Sequence, residues 1–204
     1  MITIIDYGMG NLGSIQNMLR RLGVDAEITS DIELIRKAKK LILPGVGAFD
    51  KAMMNLENRD LISVLNEQVL KNRIPLLGIC LGMQLLTKGS EEGELNGLGW
   101  IDAETLRFNF SPEMKLRVPH MGWNTLTVQQ KSCLFQQMYE EPRFYFVHSY
   151  YVKCKSQKSI LATTHYGIDF ASGITQDNIY GLQFHPEKSH KFGMQVLKNF
   201  TELC

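Results

Sequence analysis

Pro75-Leu76-Leu77-Gly78-Ile79-Cys80-Leu81-Gly82-Met83-Gln84-Leu85-Leu86 is the stretch on which the reading of this chain turns. A short apolar run with strand character enters a Gly-x-Cys-x-Gly turn and continues into an apolar helix start. This is the strand-turn-helix arrangement that presents a nucleophile when its central residue is Ser or Cys. The tip of such a turn is strained, and side chains two positions to either side would meet neighbouring backbone, so glycine at 78 and 82 has a mechanical reason. The turn also sets Cys80 at a helix N-terminus, where unpaired N–H groups and the dipole favour a thiolate and an oxyanion beside it. Taken alone, a cysteine in an apolar run is most often a small buried hydrophobe. The paired glycines, which a core cysteine does not need, bring forward Cys80 as a candidate nucleophile.

Upstream of this stretch the pattern is β then α. Residues 3–5 are β-rich and end at Asp6-Tyr7-Gly8-Met9-Gly10-Asn11, after which Leu12, Ile15, Leu19 and Leu22 recur at helical spacing until Gly23. The glycines there fit neither the dinucleotide fingerprint nor the P-loop pattern. Residues 26–29 and 41–43 supply two more strands, the latter ending at Pro44-Gly45-Val46-Gly47. Apolar positions at Ala52, Met53, Leu56, Leu61, Val64, Leu65 and Val69 then predict helical cover. Alternating strands and helices imply a parallel sheet whose site lies at the strands' carboxyl ends, so the Pro44 loop and the Cys80 turn should open on one edge.

Downstream, residues 91–99 form a polar loop in which Glu91-Glu92 reads as solvated charge. Strands are expected at 105–108, 125–128, 144–152, 160–164, 170–175 and 179–184, with antiparallel pairing. A final helix carries Phe192, Val196, Leu197, Phe200 and Leu203. The expected fold class is α/β, a central mostly parallel sheet flanked by helices with an antiparallel extension, forming a single domain over 1–204.

Bulk properties narrow the function. With 204 residues, 44% of them hydrophobic, the chain can bury one sizeable core. A net charge of +1 gives no electrostatic reason to expect nucleic acid or an anionic membrane as partner. No secretion signal or apolar run of membrane-spanning length is present, so a cytoplasmic location is expected. Cys80, Cys133, Cys154 and Cys204 contain no Cys-x-x-Cys pair, which points to neither a zinc ribbon nor a disulfide framework and fits a reducing compartment.

The strand at 179–184 runs into His185-Pro186-Glu187. Cys, His and a carboxylate make a complete nucleophile, base and orienting group. Pro186 stiffens the span between the last two. His185 and His190 lack metal-ligand spacing with Cys80, so no metal and no cofactor is expected.

These segments resemble the triad-type (class I) glutamine amidotransferases, which hydrolyse glutamine and deliver ammonia to a synthase. Residues 6–11 and 44–47, Pro119-His120-Met121-Gly122-Trp123-Asn124, His148-Ser149-Tyr150 and residues 185–189 resemble, among these, the glutaminase subunits of imidazole glycerol phosphate synthase. The resemblance implies the class I amidotransferase fold, Cys80 as nucleophile, His185 as base and Glu187 as its orienting partner. It implies oxyanion donors at Leu81 and at Val46-Gly47, and glutamine contacts at Gln84, Ser149 and Tyr150. It also implies a heterodimer with a (β/α)8-barrel cyclase, with Met121, Trp123, Tyr145 and Lys188 near the interface and Asn11 near a hinge. For Trp123 an ordinary core aromatic is the competing reading. Tyr150-Tyr151-Val152-Lys153-Cys154, Thr164-His165-Tyr166 and His190-Lys191-Phe192 leave open another ammonia-accepting synthase, an amidine-forming enzyme of surface-sugar biosynthesis. A non-catalytic protective domain on the same fold is a third reading.

Overall fold

The computed structural model describes residues 2–204. Its first half runs β1 (Ile2–Ile5), α1 (Leu12–Arg21), β2 (Ala26–Thr29), α2 (Ile32–Arg36), β3 (Lys40–Gly45), α3 (Phe49–Asn58), α4 (Leu61–Asn66), β4 (Leu76–Cys80) and α5 (Leu81–Leu85). The second half contributes β5 (Ala103–Arg107), β6 (His120–Thr125), β7 (Thr127–Val128), β8 (Arg143–His148), β9 (Tyr150–Cys154), β10 (Ile160–Tyr166), β11 (Ile168–Gln176), β12 (Ile179–Leu182) and α6 (His190–Leu203).

Successive strand residues point to opposite faces, and here they feed two cores. Ile5, Leu41, Leu43 and Leu76 pack with Ile35, Leu56 and Val64 of the helices on one side. Ile4, Ile42, Leu77 and Ile79 pack with Ile15 and Leu19 of α1 and Val196 and Phe200 of α6 on the other. Being covered on both faces is why these strands read as nearly continuous apolar runs rather than alternating ones.

The main sheet has the order β2-β1-β3-β4-β12-β11-β10-β7. β2, β1, β3, β4 and β12 are parallel. β11, β10 and β7 extend the sheet in antiparallel fashion, with β9 and β5 branching from β11. The predicted mixture of parallel centre and antiparallel extension is therefore present. Because β12 inserts beside β4, with Leu182 opposite Ile79, two segments a hundred residues apart end at the same place.

Three details depart from the expected elements. The run at 144–152 is two strands, since β8 pairs with β6 in a separate two-stranded sheet while β9 turns at Ser149 into the main one. The piece at 125–128 is divided the same way, between β6 and β7. Helix α2 was not anticipated, although its signal was in the sequence: Asp31 caps it, accepting from the N–H groups of Glu33 at 2.7 Å and Leu34 at 3.1 Å.

The cysteine reading needs correction. Cys133 and Cys204 form a disulfide, leaving Cys80 and Cys154 free. The pairing is invisible in the spacing because it depends on α6 lying along the turn at Cys133–Phe135. Asn199 on that helix fixes the packing, donating to the carbonyls of Leu134 at 2.9 Å and Gln136 at 2.7 Å. Thiol titration of the unreduced, denatured chain is expected to find two free thiols; four would contradict the pairing.

The glycines of the turn behave as the mechanical reading requires. A Cβ on Gly78 would lie 2.7 Å from the Gly82 carbonyl oxygen, and one on Gly82 would collide with the Leu43 carbonyl, which is fixed in the sheet. Gly82→Ala is expected to cost about 3 kcal/mol or more of unfolding free energy in denaturant titrations. A loss within about 0.5 kcal/mol would contradict the packing described.

Candidate active site

Cys80 sits at the tip between β4 and α5 with φ 55° and ψ −111°, the strained geometry anticipated for a nucleophile turn. Helix α5 has only five residues, so its dipole is short. The polar neighbours of the sulfur come instead from across the sheet. Gln183 Nε2 donates to Cys80 Sγ at 3.8 Å. His185 follows two residues later, with its ring 1% exposed for the residue as a whole.

His185 Nδ1 is 2.8 Å from Glu187 Oε1, both side chains being almost wholly buried. The loop is fixed to β8 by two bonds and braced by a third within itself. His185 N–H donates to Tyr145 O at 2.9 Å, Tyr145 N–H to Ser189 Oγ at 3.0 Å, and Ser189 Oγ–H back to His185 O at 2.6 Å. Burial works to lower the His185 pKa, but the neighbouring Cys80 sulfur and then the Glu187 carboxylate outweigh it and raise it to about 10. An imidazolium held between a sulfur and a carboxylate is the charge arrangement of an activated cysteine.

A cavity of about 280 Å³ opens over this group, lined by Val46, Gly47, Cys80, Leu81, Gln84, Glu92, His148, Ser149, Tyr150, His185 and Lys188 among others. The structure thus brings the Cys80, His185, Val46-Gly47, Leu81, Gln84 and Ser149-Tyr150 positions to one space. Glu187 lies directly behind His185. Gly47 has φ +106°, a backbone conformation that strains any residue with a side chain, so glycine is favoured on that side of the cavity.

Met121, Trp123, Tyr145 and Lys188 form a neighbouring surface. Met121 and Trp123 are 62% and 46% exposed, which rules out the core reading of the tryptophan. Trp123 stacks on His190 at 5.3 Å and meets Tyr145 edge-on at 6.1 Å, while Lys188 Nζ lies 5.7 Å from the Tyr145 ring. Asn11 is exposed just before α1, its Oδ1 accepting from Ser14 Oγ at 2.9 Å.

Sequence reasoning missed three contributors. Glu92, read as solvated charge, lines the cavity and accepts from Phe49 N–H at 2.9 Å; Glu91 likewise accepts from Arg107 N–H at 2.7 Å. Tyr7, buried in the first glycine turn, donates to the Pro44 carbonyl at 2.6 Å and so secures the Val46-Gly47 edge. Burial, followed by the charge of Cys80, pushes its pKa upward, so it stays a neutral donor. Gln183 carried no signal beyond its place within the predicted strand at 179–184.

Behind the cavity, hydrogen-bond directions are forced. The Tyr150 carbonyl can only accept, so His148 Nδ1, 2.7 Å away, carries the proton and its Nε2 accepts from His120 Nδ1 at 3.0 Å. His120 Nε2 then faces Asn124 Nδ2 at 3.3 Å. Burial lowers the pKa of His148 to about 3 and that of His120 to about 4, in keeping with two neutral rings. Among the described residues no group of three or more His, Cys, Asp or Glu side chains is placed to hold a metal ion, and no helix is long and apolar enough to cross a membrane.

His185 is expected to keep its proton well above neutral pH and to release it near pH 10. Cys80→Ala and Glu187→Gln each remove an upward influence, so each should lower the midpoint followed by imidazole nitrogen-15 shifts. A wild-type midpoint near the ordinary 6.5, unmoved by both changes, would contradict the geometry.

Whole-chain comparisons identify the family. The family model "Glutamine amidotransferase class-I" matches residues 3–203. A Methanococcus maripaludis protein named imidazole glycerol phosphate synthase subunit HisH 2 is 58% identical over 202 residues, covering 99% of both chains. A Pseudomonas aeruginosa protein of the same name is 51% identical over 203 residues, covering 100% of both, and a Leptospira borgpetersenii HisH subunit is 41% identical over 204. Among solved structures, one titled "Crystal structure of glutamine amidotransferase" superposes with a TM-score of 0.78 at 20% identity, covering 99% of this chain and 98% of that one, which bears on the fold alone. PurLQS from Thermotoga maritima gives 0.74 at 16% identity, covering 98% and 96%. With its strained cysteine turn, its buried His–Glu pair and a family match that runs almost the whole length, this chain belongs to the class I glutamine amidotransferases and groups with the HisH subunits among them.

Proposed function

We propose that this chain is the glutaminase subunit of imidazole glycerol phosphate synthase, acting in histidine biosynthesis by hydrolysing glutamine to glutamate and passing the ammonia to a cyclase subunit. The observation that carries the reading is the buried arrangement of Cys80, His185 and Glu187 beneath a cavity of about 280 Å³, large enough for one amino acid. The identity of 41–58% to subunits bearing that name supports the acceptor. An amidine-forming enzyme of surface-sugar biosynthesis is not favoured as the acceptor, and a non-catalytic domain has no use for the buried His–Glu pair.

In this mechanism the Cys80 thiolate attacks the side-chain amide carbon of glutamine. The oxyanion is met by backbone N–H groups of Leu81 and of the Val46-Gly47 edge, each worth about 3 kcal/mol of barrier when well aimed. His185, protonated between Cys80 and Glu187, delivers its proton to the departing ammonia and then takes one from the water that hydrolyses the γ-glutamyl thioester. Gln84, Ser149 and Tyr150 hold the amino-acid end. The whole of 1–204 serves as one amidotransferase domain, without metal or cofactor, in the cytoplasm.

Free ammonia near neutral pH is mostly protonated and useless as a nucleophile, so the product has to pass to its acceptor without mixing with solvent. The exposed Met121, Trp123 and Lys188 and the half-buried Tyr145 beside the cavity suit that role, with a (β/α)8-barrel cyclase as the partner and Asn11 near the hinge. Aromatic anchors of this kind dominate interface energies.

In the complex with the cyclase, Cys80→Ala is expected to lower glutamine-dependent turnover by about a thousandfold or more while leaving turnover with added ammonium salts within about twofold. Glutamine use that survives the substitution would reject the assignment. Equal loss with both nitrogen sources would place the residue's role in assembly.

A further inference from the structure

Gln183 is completely buried and lies one residue beyond β12, at the level where β4 delivers Cys80. Its two amide ends face different partners. Its Oε1 accepts from Gln84 Nε2 at 3.0 Å, and its Nε2 points at Cys80 Sγ, 3.8 Å away. An amide side chain is free to turn over unless its neighbours forbid it, and here they do. Gln84 Nε2 also donates to the Tyr150 carbonyl at 3.2 Å, and a carbonyl can only accept. Gln84 must therefore present its NH2 to both partners, Gln183 must answer with oxygen, and its own NH2 is left for the sulfur. The same Tyr150 carbonyl accepts from His148 Nδ1 at 2.7 Å, so its position is tied to the His148–His120 pair as well.

We propose that Gln183 is a positioning residue for the nucleophile, an amide whose N–H, oriented through Gln84 by the Tyr150 carbonyl, holds the Cys80 sulfur and stabilises it as a thiolate. The assignment rests on the glutaminase reading of the site and deepens it. A donor aimed at an anion favours the charged form, and it does so most where water is excluded. His185 supplies charge on the other side of the sulfur, while Gln183 supplies a dipole fixed by the fold. Because the donor is uncharged and takes no proton, its influence is the same at every pH.

The test is the pH profile of Cys80 alkylation by iodoacetamide in the full-length folded chain, read on the Cys80 peptide by mass spectrometry so that Cys154 does not interfere. The titratable groups around the sulfur are His185 after β12 and Tyr7 after β1, with His148, Tyr150, Glu92 and Lys188 around the cavity. None of them is changed by Gln183→Leu or by the unbranched Gln183→Met. Both variants are expected to move the midpoint upward by about one pH unit. In the complex with the cyclase they should lower kcat about tenfold with KM for glutamine within about twofold. Should the leucine variant fail to fold, the methionine variant decides.

A purely structural role would lower the melting temperature and leave the midpoint where it is, and that result overturns the proposal. His185→Asn separates the role of Gln183 from the glutaminase chemistry. If that change moves the wild-type midpoint and the Gln183 variants do not, only the role of Gln183 is lost. If neither does, the glutaminase reading fails with it.

Discussion

The structure depends on the parallel pairing of β4 with β12. Backbone hydrogen bonds place Leu182 opposite Ile79, and this register alone carries Gln183 and His185 to the cysteine turn. A slip of one residue would turn every side chain of β12 to the other face and exchange the buried Leu182 and Phe184 with their neighbours. The apolar residues of the two cores thus fix the site's register as well as the stability of the sheet. Chemistry and packing share one constraint.

Around that pairing the site is rigid on one side and open on the other. The His185–Glu187 loop is stitched to β8 through Tyr145 and Ser189, and the Val46-Gly47 edge hangs from the Tyr7–Pro44 bond. Strand β8 also carries Tyr145 on its outer face, and β6 beside it carries Met121 and Trp123, paired in register as Trp123 with Tyr145. The surface and the catalytic loop therefore meet at Tyr145, whose side chain belongs to the one and whose backbone bonds to the other. No long-range mechanism is needed to connect them.

Much of this was legible in the sequence. The Gly-Ile-Cys-Leu-Gly turn declared itself because steric crowding permits only glycine at 78 and 82, and the His-Pro-Glu segment because its chemistry completes the cysteine's. The βα alternation was readable because helices and buried strands leave different periodicities. What escaped depended on contacts between segments distant in the chain. The Cys133–Cys204 pair needs α6 against a turn some seventy residues earlier. The break at Ser149 arises because β8 and β9 join different sheets, although both halves have equal strand character. Glu92 has the composition of a solvated loop and becomes a cavity residue only when Phe49 N–H offers it a partner. Gln183 looks like any polar residue at a strand end until its hydrogen bonds are traced.

As nucleophile, the sulfur of residue 80 forms a covalent bond to the substrate. Acid-quenching the cyclase complex during turnover with glutamine, followed by peptide mass spectrometry, tests it directly. An acid-stable glutamyl adduct is expected on the peptide containing Cys80, discharged by hydroxylamine. Steady turnover with no adduct there, or with the adduct on another residue, would contradict it.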